Sequence, residues 1–175
     1  MFQKICVLFF CVLISFAFIN PNRAEKKANK VISKFYTTEG FTKKKFDFPE
    51  EIQQQLKSDF SQGNLFEILE NDTFLGYGYM GIAKSKAADF DYLVLFDSEF
   101  IITKSTVLIY REEYGGEISS RRWLKQFIGK NSSTELIYNS NIIPISGATI
   151  SVKSMTNSIN DLLKSIAQLQ DLKLI

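Results

Sequence analysis

The chain has 175 residues, 45% of them apolar, and a formal charge of +2, which bounds it to one domain with a real core. That near-balance argues against the dense basic face of a nucleic-acid binder and the acidic excess of a disordered tail. There is no histidine, and both cysteines, Cys6 and Cys11, stand in an apolar N-terminal run; beyond that run, thiol catalysis, iron–sulfur clusters, cysteine zinc sites and disulfides are excluded.

Met1 to Lys4 carries one positive charge, and Ile5 to Ile19 is apolar apart from Ser15 before the chain turns polar at Asn20-Pro21-Asn22-Arg23. The run matches the core of a signal peptide and falls short of the ~20 residues of a spanning helix. The expectation is a signal peptide or N-terminal anchor over residues 1–23 and a domain over 24–175, at work outside the cytoplasm. A cut around Ala17 to Ala24, an uncleaved anchor and a buried N-terminal helix all fit these residues. Bulky Phe10 ahead of Cys11 argues against a lipoprotein site.

Ala28, Val31, Ile32 and Phe35 repeat as one stripe of an amphipathic helix, with Gly40 as its stop. Pro49 opens a second helix carrying Ile52, Leu56 and Phe60 on one side, ended by Gln62-Gly63-Asn64. The period then changes. Phe66 to Leu69, a turn at Asn71-Asp72 and Phe74 to Ala83 read as a hairpin. Lys84 to Ala88 connects it to Tyr92–Phe96, a turn at Asp97-Ser98-Glu99 and Phe100–Tyr110, a second hairpin. Aromatic and β-branched residues dominate, so the expected fold class is α+β, an antiparallel meander packed by helices.

Arg111 to Glu117 interrupts the sheet with charge, an aromatic ring and paired glycines. A helix from about Ser119 to Ile128 follows, ended by Gly129, and Leu136 to Tyr138 reads as a short strand. Val152, Met155, Ile159, Leu162, Leu163, Ile166 and Leu169 then step by three and four along a final amphipathic helix. Its N-cap hydroxyl falls to Thr149 or Ser151.

Ser146-Gly147-Ala148-Thr149 leads into that helix. Small residues let the backbone approach a ligand, Gly147 can take angles closed to other residues, and a helix start offers unpaired N–H groups and a positive dipole end. These features suit a phosphate, and the Thr149 hydroxyl suits a phosphate ester. A capped turn with no ligand would use the same residue types.

Ile145-Ser146-Gly147-Ala148-Thr149-Ile150-Ser151, followed by the Val152/Met155/Ile159 helix, resembles the FMN-binding domain family, which includes the covalent-FMN subunits of the Rnf and sodium-pumping NADH:quinone reductase complexes and small exported flavoproteins. Val107 to Gly116, Trp123 to Lys130, and the hairpin from Gly76-Tyr77-Gly78-Tyr79 to Asp97 resemble its other segments, so the likeness spans roughly residues 74 to 165. Two positions depart from the family pattern. Ile143 stands where the family has an aspartate three residues before the motif serine, and Tyr114 stands where it often has proline; Glu112 and Gly115 match.

The resemblance implies FMN held by a phosphoester to Thr149 and installed by a flavin transferase. It places Ser146, Gly147, Ala148 and Ile150 at the cofactor, with the ring against the loop carrying Arg111, Glu112, Tyr114 and Gly115. Arg111 or Lys153 would offset phosphate charge or stabilise reduced flavin. The implied protein is an exported electron carrier, periplasmic or on the outer face of the cytoplasmic membrane, serving a membrane or envelope redox partner without metal. Ser151 and Lys153 are too close for a Ser-x-x-Lys pair, and Gly129-Lys130-Asn131 is no phosphate loop. A flavin-dependent reductase and a flavin-free extracytoplasmic ligand- or partner-binding module are the alternative readings.

Overall fold

A computed structural model describes residues 23–175; the leader expected over residues 1–23 lies almost wholly outside them. Five strands form one antiparallel sheet in chain order: β1 (Thr42–Lys45), β2 (Leu65–Glu70), β3 (Thr73–Lys84), β4 (Asp89–Phe96) and β5 (Ile102–Ile109). The expected meander is therefore present, with both hairpins in place.

The strand β1 has no counterpart in the sequence reading. Its Thr-Lys-Lys-Lys sequence is largely exposed, with none of the apolar alternation that signals a strand. Edge strands rich in lysine are a common guard against sheet-to-sheet pairing, and β1 is an edge.

Successive β4 side chains point to opposite sides of the sheet and build two cores. On one side Phe90, Tyr92 and Val94 pack with Val152, Met155 and Ile159 of the final helix, α4 (Thr149–Asp171). On the other, Leu93 and Leu95 pack with Ala28 and Ile32 of the first helix, α1 (Arg23–Tyr36). Both amphipathic stripes thus fold onto the sheet as their spacing predicts.

Three local expectations are corrected. The helix after Pro49 shrinks to α2 (Glu50–Gln53), because the Lys57 and Ser58 amides are taken at 3.0 Å by the Ser165 hydroxyl of α4. The segment over 119–128 is no single helix. It splits into a 3-10 turn at Gly116–Ser119, a short α3 (Arg121–Leu124) and a second 3-10 turn at Lys125–Phe127. The break is Ser120, extended at φ −68° and ψ 136°, whose side chain accepts from Trp123 N.

The strand expected over 136–138 reduces to a bridge between Tyr138 and Ile142. A side chain replaces the missing strand partner: Asn160 of α4 accepts from Leu136 N at 2.9 Å and donates to Leu136 O at 2.7 Å.

Candidate functional site

The start of α4 differs from its expected cap. Ala148, at φ −120° and ψ 22°, is the N-cap, and no side chain caps the helix. Thr149 is the first helical residue and its side chain is exposed. From that position its hydroxyl is not spent on a cap. Ser151, the other cap candidate, is instead buried in the first turn.

Among the described residues the N–H groups of Thr149, Ile150 and Ser151 meet no acceptor; the first helical bond runs from Val152 N to Ala148 O at 2.9 Å. A helix of 23 residues therefore places unpaired amides and its positive dipole end beside a free hydroxyl. Gly147 supports the turn at φ +80°, and a β-carbon there would meet nothing within 4 Å. Ser146 and Gly147 are both exposed.

The loop after β5 closes onto this turn through Gly115, which has a φ of +83°. A β-carbon on Gly115 would lie 3.4 Å from Ala148 Cβ and 2.7 Å from the Tyr110 hydroxyl. Tyr110 sits at the centre of the assembly. Its hydroxyl donates to Tyr114 O at 2.9 Å and lies 3.0 Å from Ser151 Oγ and 3.1 Å from Ser85 Oγ. The two serine oxygens are 2.5 Å apart. Since the single tyrosine proton goes to Tyr114 O, a serine must donate to the tyrosine oxygen. Three hydroxyls thus tie the β3–β4 turn, the post-β5 loop and the first turn of α4 together.

Glu112 reinforces the same junction. Its Oε1 accepts from Ala87 N at 2.7 Å and Ala88 N at 3.0 Å. These amides, Ala87 foremost, hold its carboxyl below the usual range. Glu112 therefore fixes the β3–β4 turn.

Arg111 is directed away to β4, donating to Asp89 O at 2.7 Å and Asp91 Oδ2 at 2.5 Å. Lys153 lies one helical turn beyond Thr149, on the same side of α4, with Nζ 5.0 Å from the Tyr138 ring centroid.

Ile143 is 66% exposed, so its side chain does not fix the approach to the turn; its backbone does. Trp123 Nε1 donates to Ile143 O at 2.9 Å, and Gln126 Oε1 accepts from Ile143 N at 2.7 Å. These residues border a cleft of about 300 Å³ that reaches Pro144 and Ile145. Apolar side chains stay open around the turn: Tyr114 is 81% and Ile150 50% exposed.

Sequence reasoning did not single out Ser85, Tyr110, Trp123 or Gln126 for the site. Apart from the local Tyr110–Tyr114 and Gln126–Trp123 contacts, the bonds that build the site span 17 to 66 residues, and no local motif marks such partners.

An exposed hydroxyl beside unpaired amides, flanked by uncovered apolar side chains on an α+β meander, has the chemistry of a ligand-binding domain. Residues 86–164 match the family model of the FMN-binding domain, and this stretch is an FMN-binding domain whose cofactor is FMN. The match runs from the β3–β4 turn into α4 and includes Glu112, Gly115 and the whole Ser146–Thr149 turn. A search of curated proteins gave no match. Among the described residues no group of three or more His, Cys, Asp or Glu could hold a metal ion, and no helix is long and apolar enough to cross a membrane.

Proposed function

We propose that this protein is an exported electron-transfer flavoprotein whose FMN is joined to Thr149 by a phosphoester. The observation that carries the reading is the exposed Thr149 hydroxyl beside unpaired amides at the start of α4, within the matched domain. The flavin supplies the electron chemistry; the chain supplies position and charge.

In the attachment step, the Thr149 oxygen attacks the phosphorus of an activated flavin donor held by a flavin transferase. The phosphoanhydride bond of the donor breaks, its nucleoside monophosphate half leaves and takes up the threonine proton, and the flavin phosphate is left esterified to both its ribityl chain and Thr149. The exposed start of α4, with the unpaired amides of Thr149 and Ile150, would hold the phosphate, and the helix dipole would offset its charge. Gly147 keeps the approach clear. Tyr114 and Ile150 offer apolar contact to the ring, and Lys153 adds a cation one turn away.

Electron transfer between partners fits better than substrate turnover. The chain has no histidine and no cysteine beyond Cys11, so it brings few groups for acid–base or thiol chemistry. The apolar run Ile5–Ile19 supports export to the periplasm or the outer membrane face, where an envelope redox partner would be met.

The test is co-expression with a flavin transferase in the cell envelope, followed by a denaturing gel under ultraviolet light. The expected result is a fluorescent band and an intact mass raised by FMN less one water, both absent in Thr149→Val and present in Thr149→Ser. Fluorescence surviving Thr149→Val would move the attachment elsewhere. Recovery of all the protein from the cytoplasm would remove export.

A further inference from the structure

Away from the Thr149 turn, a cleft of about 540 Å³ opens between α1, the middle of β5 and α3. Four cations line it, Lys34, Lys104, Arg121 and Lys125, and no carboxylate does. Among the described residues none of the four is in an ion pair. Lys104 Nζ stands 5.6 Å from the Phe35 ring centroid. Burial first, then Arg121 and Lys34, push its pKa down. The positive charges therefore crowd one another without compensation.

Apolar side chains also line the cleft. Phe35 is 38% exposed and Ile128 47% exposed, and both line this cleft. The volume lies within the ~300–1,000 Å³ usual for small-molecule sites. Uncompensated cations select an anion, and uncovered apolar walls select one that carries a hydrocarbon body.

We propose that this cleft binds a monomeric anionic amphiphile, a molecule joining a phosphate or carboxylate head to a short apolar chain. The head lies among Lys34, Lys104, Arg121 and Lys125, and the body covers Phe35 and Ile128. The proposal does not depend on how the flavin is attached.

The test is calorimetric titration of the flavin-loaded protein with decyl phosphate below its micellar concentration. Parallel titrations use inorganic phosphate, decyltrimethylammonium and phosphatidylglycerol vesicles. Decyl phosphate is expected to bind one to one, at least tenfold tighter than inorganic phosphate, with no matching uptake of the cationic amphiphile. Arg121→Gln with Lys125→Gln, both exposed positions, is expected to weaken it at least tenfold with flavin content unchanged. Ile128→Ser is expected to weaken decyl phosphate and leave inorganic phosphate unaffected. Equal binding of both decyl compounds, equal binding of phosphate and decyl phosphate, or affinity unchanged in the double variant overturns the proposal. Vesicle binding without monomer uptake also overturns it, because it places the anion at a bilayer surface.

Discussion

Gly115 packs against Ala148 beside the Tyr110 hydroxyl: an added β-carbon would be in ordinary contact with Ala148 Cβ at 3.4 Å but would crowd the Tyr110 hydroxyl at 2.7 Å. This contact joins the post-β5 loop to the turn that starts α4. Gly115→Ala meets two penalties at once, the crowding and a φ of +83°. The left-handed conformation alone costs about 1–2 kcal/mol for a residue with a β-carbon. Thermal unfolding of Gly115→Ala is expected roughly 2–8 °C lower, with less flavin incorporated. An unchanged melting temperature would mean that the loop does not depend on this contact.

Thr149 should behave in the opposite way. Its side chain is exposed and caps nothing, so Thr149→Val removes a hydroxyl that no part of the fold uses. The expected stability change of the flavin-free protein is within about 0.5 kcal/mol, measured by urea unfolding. A loss of 1–2 kcal/mol, the size of a missing cap, would show that the hydroxyl is structural.

Tyr110, Ser85 and Ser151 form one hydrogen-bonded unit, and deletions within a unit do not add. Tyr110→Phe and Ser151→Ala are each expected to cost about 1 kcal/mol. The double variant should fall short of their sum by at least ~0.5 kcal/mol. Strict additivity in urea unfolding would show that the three hydroxyls act separately.

Periodicity revealed what is local. The stripes of α1 and α4 read directly from spacing, because each helix buries one face against the sheet, and β2 to β5 read from their aromatic and β-branched residues and the turns between them. What stayed hidden is set by distant partners. Ser165 ends α2 from more than a hundred residues away, and Asn160 stands in for a strand beside Leu136. The lysine edge β1 carries no apolar pattern to detect. At the site, the Ser146–Thr149 turn was legible because small residues before a helix have a local meaning. The Tyr110 network and the Trp123–Ile143 bond were not, since chain reversal brings their members together. The cap assignment failed for a related reason: the helix starts at Thr149 after the left-handed Gly147, with Ala148 as its N-cap, whereas composition points to a hydroxyl residue at that place.

Glu112 gives the junction a pH dependence of definite sign. Its carboxyl is held below its ordinary value, first by the Ala87 amide, so the folded protein binds its proton less readily than the unfolded chain. Such a group contributes stability that is present above the unfolded pKa and is lost as pH falls through the folded one. The Ala87 and Ala88 amides should stay ordered through the ordinary carboxylate range and loosen only in stronger acid. Amide chemical shifts followed through an acid titration would report it. Glu112→Gln should abolish the step; a step that persists belongs to another carboxylate.

The backbone of Ile143 is clamped from both sides, and that clamp separates the roles of backbone and side chain on the approach to Thr149. Trp123→Phe keeps most of the buried ring but deletes the donor to Ile143 O, and Gln126→Leu deletes the acceptor for Ile143 N. Each is expected to cost about 1 kcal/mol and to speed hydrogen exchange at the Ile143 amide, most directly in Gln126→Leu. If the transferase requires a pre-set turn, both variants load flavin more slowly while remaining folded. Ile143→Asp changes only an exposed side chain and should leave stability within about 0.5 kcal/mol. A loading rate that falls in the first two variants and not in the third shows that the turn is positioned through the main chain. The reverse pattern would assign that role to the side chain at position 143.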